Sequence, residues 1–197
     1  MLIVTAQPET SPVTREDALA QLRILSASHL DTGQLGLVDD LVEEAVAVVQ
    51  RQSGLILAPT GYEERFAGWP CGRVLQLGAA PVREVTGVTY LDEDGAEQTV
   101  TAGQWSWEPT ETGAEVRFGS TWSFPPLYAD SAFPVRVAFT AGCGAPDGSE
   151  DDPRLALPKA ARTAIRLQIE AWFRNPEGRG VLTDAAEALA QTFRIYR

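Results

Sequence analysis

Few of the 197 residues belong to types that do covalent or metal chemistry. There is one histidine, His29, and there are two cysteines, Cys71 and Cys143. A structural zinc site usually takes four Cys or His ligands at close spacing. Here the cysteines stand 72 positions apart. Their number and spacing do not make a disulfide framework either, so two partly buried free thiols are expected. A single histidine leaves little room for a Ser-His-Asp or Cys-His arrangement. In its Ser-Ala-Ser-His-Leu context, His29 reads as a surface or capping residue. No glycine-rich phosphate loop, nucleophile elbow or HExxH zinc helix occurs.

Carboxylates and tryptophans remain. Asp39, Asp40, Glu43 and Glu44 share one helical segment and could form a metal or acid–base cluster. No inward-facing partner is visible, so they read as a solvated helix face. Glu63-Glu64 and the span from Glu108 to Glu115 put carboxylates on or near strands, as carboxylate-only glycoside chemistry would need. Trp105, Trp107 and Trp122 could stack on sugars or bases, but packing on a half-buried pleated surface is expected of them. On the residues alone a carboxylate-dependent enzyme stays open as one reading, and no cofactor is expected.

The elements that would hold these residues can be read from their periodicity. Residues 1–12 look extended and mobile, with Gln7-Pro8 and Ser11-Pro12 against a helix. Thr14-Arg-Glu-Asp17 is a capping box leading a short helix that carries Ala18, Leu19, Leu22 and Leu25 and ends near Ser26. Residues 26–36, with Gly33 and Gly36, read as a loop. A second helix runs from Leu37 to Ser53, with Gly54 as its left-handed terminator. Residues 55–141 then change to period two. Thr60–Phe66, Val74–Leu77, Glu115–Phe118 and Val135–Phe139 read as strands. Val85–Leu91, an Asp92-Glu-Asp-Gly95 turn and Gln98–Val100 read as a hairpin. A polar loop follows, with Pro158 in the first turn of a third helix that ends near Arg174. Thr183 caps a last helix over 184–190, and Phe193–Arg197 alternates like a strand.

This order gives an α+β fold: a small helical bundle with a β-rich, antiparallel insertion between the second and third helices. Residues 1–54 and 153–197 supply the helical core, and residues 55–145 form the insertion. At 197 residues, 44% hydrophobic and 22% charged, the chain reads as one globular domain. No apolar run approaches the roughly 18 residues of a membrane span, and the N-terminal stretch has no basic region of a secretory signal. A soluble protein made inside the cell, with no membrane partner, is expected. The net charge is −11. Residues 1–152 hold 23 acidic and 8 basic side chains, a balance of −15, and residues 153–197 hold 4 and 8, a balance of +4. Acidic bulk repels nucleic acid and membranes, while the basic end could attract an acidic partner or simply solvate helix faces.

The order of motifs carries more. Pro12-Val-Thr-Arg-Glu-Asp-Ala18 opens the first helix, and Asp39-Asp-Leu-Val-Glu-Glu-Ala45 leads to Ser53-Gly54. Pro81-Val-Arg-Glu-Val-Thr-Gly-Val-Thr-Tyr-Leu-Asp-Glu-Asp-Gly95 forms the hairpin. Val135-Arg-Val-Ala-Phe-Thr-Ala-Gly142 ends the strand block, Trp172-Phe-Arg-Asn-Pro-Glu177 ends the Pro-led helix, and Tyr196-Arg197 follows. Over about 185 residues, this order resembles the head–tail connector (adaptor) proteins of long-tailed phages and phage-like gene transfer agents. The long 120–132 spacer and the 147–153 loop depart from the pattern.

The resemblance implies a structural subunit made in the bacterial cytoplasm and built into the neck of a particle. It implies a ring with itself, typically of twelve copies, under the portal protein. Such a ring extends the DNA channel, passes DNA without specific binding, and docks a head-completion, stopper or tail protein. The portal-binding residues it implies are the C-terminal Phe193, Arg194, Ile195, Tyr196 and Arg197, a segment that could equally fold back onto its own subunit. Asp39, Asp40, Glu43 and Glu44 are the channel-facing candidates. The other reading is a β-rich glycan- or receptor-binding module of a phage-like particle, presenting Trp105, Trp107 and Trp122.

Overall fold

The computed structural model describes residues 1–24, 30–144 and 150–196. His29, residues 145–149 of the expected polar loop and Arg197 lie outside them. The chain divides into two compact units. One joins Met1–Pro8 to Pro59–Gly142; the other joins Glu9–Ala58 to Cys143–Arg197. The fold class is α+β, with helices in one unit and antiparallel sheet in the other.

The β unit holds two sheets. Five strands run in the order β1 (Leu2–Ala6), β2 (Thr60–Phe66), β8 (Val135–Ala141), β4 (Val82–Leu91), β5 (Glu97–Thr99). Three more run β3 (Val74–Leu77), β7 (Gly113–Phe118), β6 (Trp105–Thr110). Central β8 shows why the sequence folds this way. Val135, Val137, Phe139 and Ala141 are buried, while Arg136, Ala138 and Thr140 point out, the pattern of a sheet with one covered face.

Three features differ from the sequence expectation. The N-terminal residues are extended but not loose: β1 pairs with β2, placing Ile3 opposite Glu63. β6 is a full strand against β7 although Pro109 weakens its pattern; its position at a sheet edge is where proline is tolerated. In β4 the buried residues are Val82, Val85 and Val88, a spacing of three rather than two. The register shifts between Val82 and Glu84 and again between Val85 and Gly87. A bulge inserts one residue on one strand, so two bulges turn a mixed sequence into one continuous buried face. The expected hairpin turn is present. Asp92 accepts from the amides of Asp94 and Ala96 and from the Gln98 side chain, and Gly95 takes φ 79°.

The helical unit consists of α1 (Arg15–Gln21), α2 (Thr32–Ser53), α3 (Lys159–Arg174) and α4 (Asp184–Gln191). Thr14 and Asp17 form the expected capping box. α1 stops at Gln21, with Arg23 in the left-handed region. α2 begins five residues earlier than its apolar stripe suggests. Asp31 and Gln34 make a second capping box, which offsets the roughly 1 kcal/mol that each of Gly33 and Gly36 costs in a helix. Pro158 sits just before α3, at its N-cap position. The C-terminal residues are not a strand: Phe193 lies in a turn and 194–196 are irregular. Val38, Leu41, Val42, Ala45 and Val49 of α2 share one core with Ala161, Ala164, Ile165, Ile169 and Trp172 of α3. The helices flanking the insertion therefore pack together.

Two substitutions test this packing. Gly113 leaves no room for a side chain, since a Cβ there would lie 1.9 Å from the Leu77 carbonyl oxygen. Gly113→Ala is expected to cost about 1–3 kcal/mol in urea unfolding. Trp172→Ala, at a side chain only 2% exposed, is expected to cost about 3–5 kcal/mol.

Candidate functional site

The α2 carboxylates and the C-terminal segment singled out in the sequence lie in the helical unit, where α1 ties α2 to α3. Arg15 Nε donates to Asp39 Oδ1 at 2.7 Å, and its terminal nitrogen donates to Asp39 Oδ2. Arg166 of α3 pairs with Asp17 of α1, and Gln21 donates to Glu170 at 2.6 Å. The hydrogen bond from Arg15 holds the Asp39 carboxyl below its ordinary range, against a smaller opposing pull from burial. At Asp17 burial pushes upward. The Thr14 amide and hydroxyl together with Arg166 outweigh it, and the net shift is downward.

The four α2 carboxylates are therefore not equivalent. Asp39 is held by Arg15, and Glu44 lies 3.9 Å from Arg179. Asp40 and Glu43 are exposed, and their side chains have no partner among the described residues. The strand carboxylates are occupied as well. Glu63 pairs with Arg65, Glu64 accepts from the Gly78 amide, and Arg117 lies against Glu108 and Glu115. Among the described residues no group of three His, Cys, Asp or Glu could hold a metal ion, and no helix is long and apolar enough to cross a membrane. Neither Cys71 nor Cys143 forms a disulfide among the described residues, and Cys71 is exposed and Cys143 buried rather than both partly buried.

The C-terminal segment lies against its own helices. Phe193 and Ile195 are half-buried on the helical core, and Ile195 N–H donates to the Ser53 carbonyl at 2.8 Å. Gly54, left-handed at φ 71°, ends α2 beside this contact; a Cβ there would lie 3.4 Å from the Ile195 carbonyl oxygen. Arg194 and Tyr196 point the other way, the guanidinium 5.2 Å from the ring centroid, and Tyr196 is 71% exposed. The alternation seen in the sequence survives as a side-chain pattern without a strand.

One feature was missed in the sequence. Gln168 of α3 is fully buried. Its Oε1 accepts from the Thr183 amide at 2.9 Å, and its Nε2 donates to the Val181 carbonyl at 3.1 Å. Trp172 Nε1 donates to the same carbonyl at 3.2 Å. A buried polar side chain is costly unless bonded, and this one is bonded at both ends. It fixes the segment before α4 and leaves Val181 71% exposed. Beside Val181 is an open hollow of about 260 Å³, lined also by Val48, Arg51, Gln52, Leu182 and Glu187. The only sequence signal was a glutamine at a core-facing position of an apolar helix.

In the β unit, the tryptophans mostly pack. Trp69, Phe118, Trp122 and Phe124 have mutual centroid distances of 5.1 to 5.5 Å. Arg73 stacks on Phe124 and donates to the Gly119 and Trp122 carbonyls. Trp105 and Trp107 are half-buried on β6.

Two measurements follow. Both Asp17 and Asp39 have folded pKa values below their unfolded ones. Their stabilisation is whole above about pH 4, the ordinary aspartate value, and is lost as pH falls through the lower folded values. The protection factors of the α1 amides, which remove the intrinsic pH dependence of exchange, should fall over that acid range, and Asp39→Asn should reduce the change. Gln168→Leu leaves the Thr183 amide unbonded, so urea unfolding should show a loss of about 1–3 kcal/mol.

No protein-family model matches the chain, and no curated protein matches it in sequence. Solved chains of gene transfer agent (GTA) particles share its fold. A chain from the virion of a native particle superposes with TM-score 0.74 at 21% identity. One from the neck of an empty particle, computed with C6 symmetry, gives 0.76 at 21%. One from the neck of a native particle, computed with C12 symmetry, gives 0.67 at 23%. Each alignment covers 100% of this chain and 96% of the solved one. The likeness thus extends over both units and is a likeness of fold.

Proposed function

We propose that the protein is a head–tail connector (adaptor) subunit of a gene transfer agent or related phage-like particle. It forms a ring, of twelve copies, under the portal protein, extends the DNA channel and docks the next neck or tail component. The observation that carries this reading is the whole-chain fold likeness to GTA neck chains solved with C6 and C12 symmetry. The chain is made in the bacterial cytoplasm and enters the particle as a structural part rather than an enzyme.

The residues suit the role. A ring of identical subunits needs two different, complementary faces on each copy. The net charge of −11 disfavours lasting attachment to DNA, since tight binding comes from many Lys and Arg contacts to phosphate. The C-terminal Phe193–Arg197 segment is the portal-docking element. Arg194 and Tyr196 are exposed in the free subunit, and an arginine and an aromatic are the residue types that anchor interfaces.

Mass measurement of the purified protein with and without portal rings tests the reading. A ring, or a monomer that assembles only on the portal, is expected. A persistent monomer that ignores the portal, above all one that binds glycans, overturns it. Deleting Phe193–Arg197 should weaken portal binding about tenfold or more; unchanged affinity overturns the docking role of this segment.

A further inference from the structure

On α2 and α3 much of the charge pairs within the subunit, and what is left is one like-charged couple on each together with Arg51 in the last turn of α2. Arg15 takes Asp39 and Arg179 faces Glu44, which leaves Asp40 and Glu43 near the middle of α2 and Arg51 in its last turn. Asp17 takes Arg166 and Glu170 takes Arg174, which leaves Lys159 and Arg162 on α3. The side chains of Asp40, Glu43, Lys159 and Arg162 have no hydrogen-bonded or ionic partner among the described residues. Asp40, Glu43 and Lys159 are exposed, and Arg162 is half-buried.

Their placement is complementary. Each couple is spaced i,i+3, which puts the two Cβ atoms about 5–6 Å apart in both cases. On α2, helical spacing sets Asp40 and Glu43 opposite the buried stripe of Val38, Leu41, Ala45 and Val49. On α3, Lys159 lies opposite the stripe of Ala161, Ile165 and Trp172, and Arg162 lies at its margin. Both stripes face the shared core, so Asp40, Glu43 and Lys159 face away from it and Arg162 sits at its edge. Each copy therefore carries one acidic couple and one basic couple with matching spacing.

We infer that the occupant of the acidic α2 face is the basic α3 face of a second copy of this chain, placed head to tail. The inference rests on the connector reading and names the subunit contact within the ring. It assigns Asp40 and Glu43 to a subunit boundary rather than to the DNA channel. A two-fold dimer could match the couples only by using both faces of each copy in one closed contact, whereas head-to-tail pairing satisfies every couple and propagates to ring closure. Exposed ion pairs add little affinity, but they select partner and register and give assembly a dependence on salt.

The test reverses one face at a time: Asp40→Lys with Glu43→Lys, and separately Lys159→Glu with Arg162→Glu. Assembly is followed by native mass measurement, with and without portal rings, at low and high salt. Each reversed variant should need at least about a tenfold higher concentration to assemble than the wild type. A mixture of the two should recover assembly, because copies of each kind then alternate. A chain with all four changes should also recover it. The milder Asp40→Asn with Glu43→Gln variant should give a smaller shift and a weaker salt dependence, and it serves if a reversed variant does not fold. Single-face variants that assemble like the wild type with the same salt dependence overturn the inference and leave the connector reading intact. So does a loss that neither the mixture nor the fourfold change repairs. A wild type that never assembles, even on the portal, overturns the connector reading itself.

Discussion

The helical unit depends on apolar contact between two helices that are far apart in sequence. α2 ends at Ser53 and α3 begins at Lys159, yet their buried stripes close one core around Leu41, Ile165 and Trp172. Bringing them together means closing a long loop, and loop-closure entropy grows only slowly with length when the ends are held near each other. The β unit supplies that condition. Its entry strand β2 and exit strand β8 are hydrogen-bonded neighbours, with Thr60 opposite Ala141. Just beyond them, Cys143 N–H donates to the Ile56 carbonyl. The insertion is large, but its two ends leave side by side.

What the sequence made legible was whatever repeats at a fixed period. α2 and α3 carry continuous apolar stripes, and β8 alternates without interruption. Elements that depend on a single local event were hidden. The start of α2 rests on one reciprocal cap, Asp31 with Gln34, which overrides two glycines. The buried face of β4 rests on two bulges, and a bulge leaves no periodic trace. β1 is short, and its place depends on a partner strand more than fifty residues away.

The candidate site was legible to the same degree. Exposure of the α2 carboxylates followed from helical periodicity. Which of them are neutralised did not, because Arg15 and Arg179 come from elsewhere in the chain. The contrast of −15 and +4 along the sequence has a similar fate. α3 and α4 pack in the same unit as acidic α2, and Arg166, Arg174 and Arg179 all face carboxylates of that unit. Part of the linear charge asymmetry becomes local pairs, and the net charge of −11 stays on the exposed carboxylates left over.

The interleaving of the two units also bears on synthesis. The ribosome delivers α1 and α2 first, then every strand from β2 to β8, and only then α3 and α4. Domains generally fold as units as they emerge. The β unit has all its strands before α3 exists, whereas α2 must wait with its apolar stripe uncovered. A chain truncated before α3 would leave the α2 stripe without its main cover and lack a finished helical core. Synthesis through α3 is thus built into the fold as a condition for a finished helical surface.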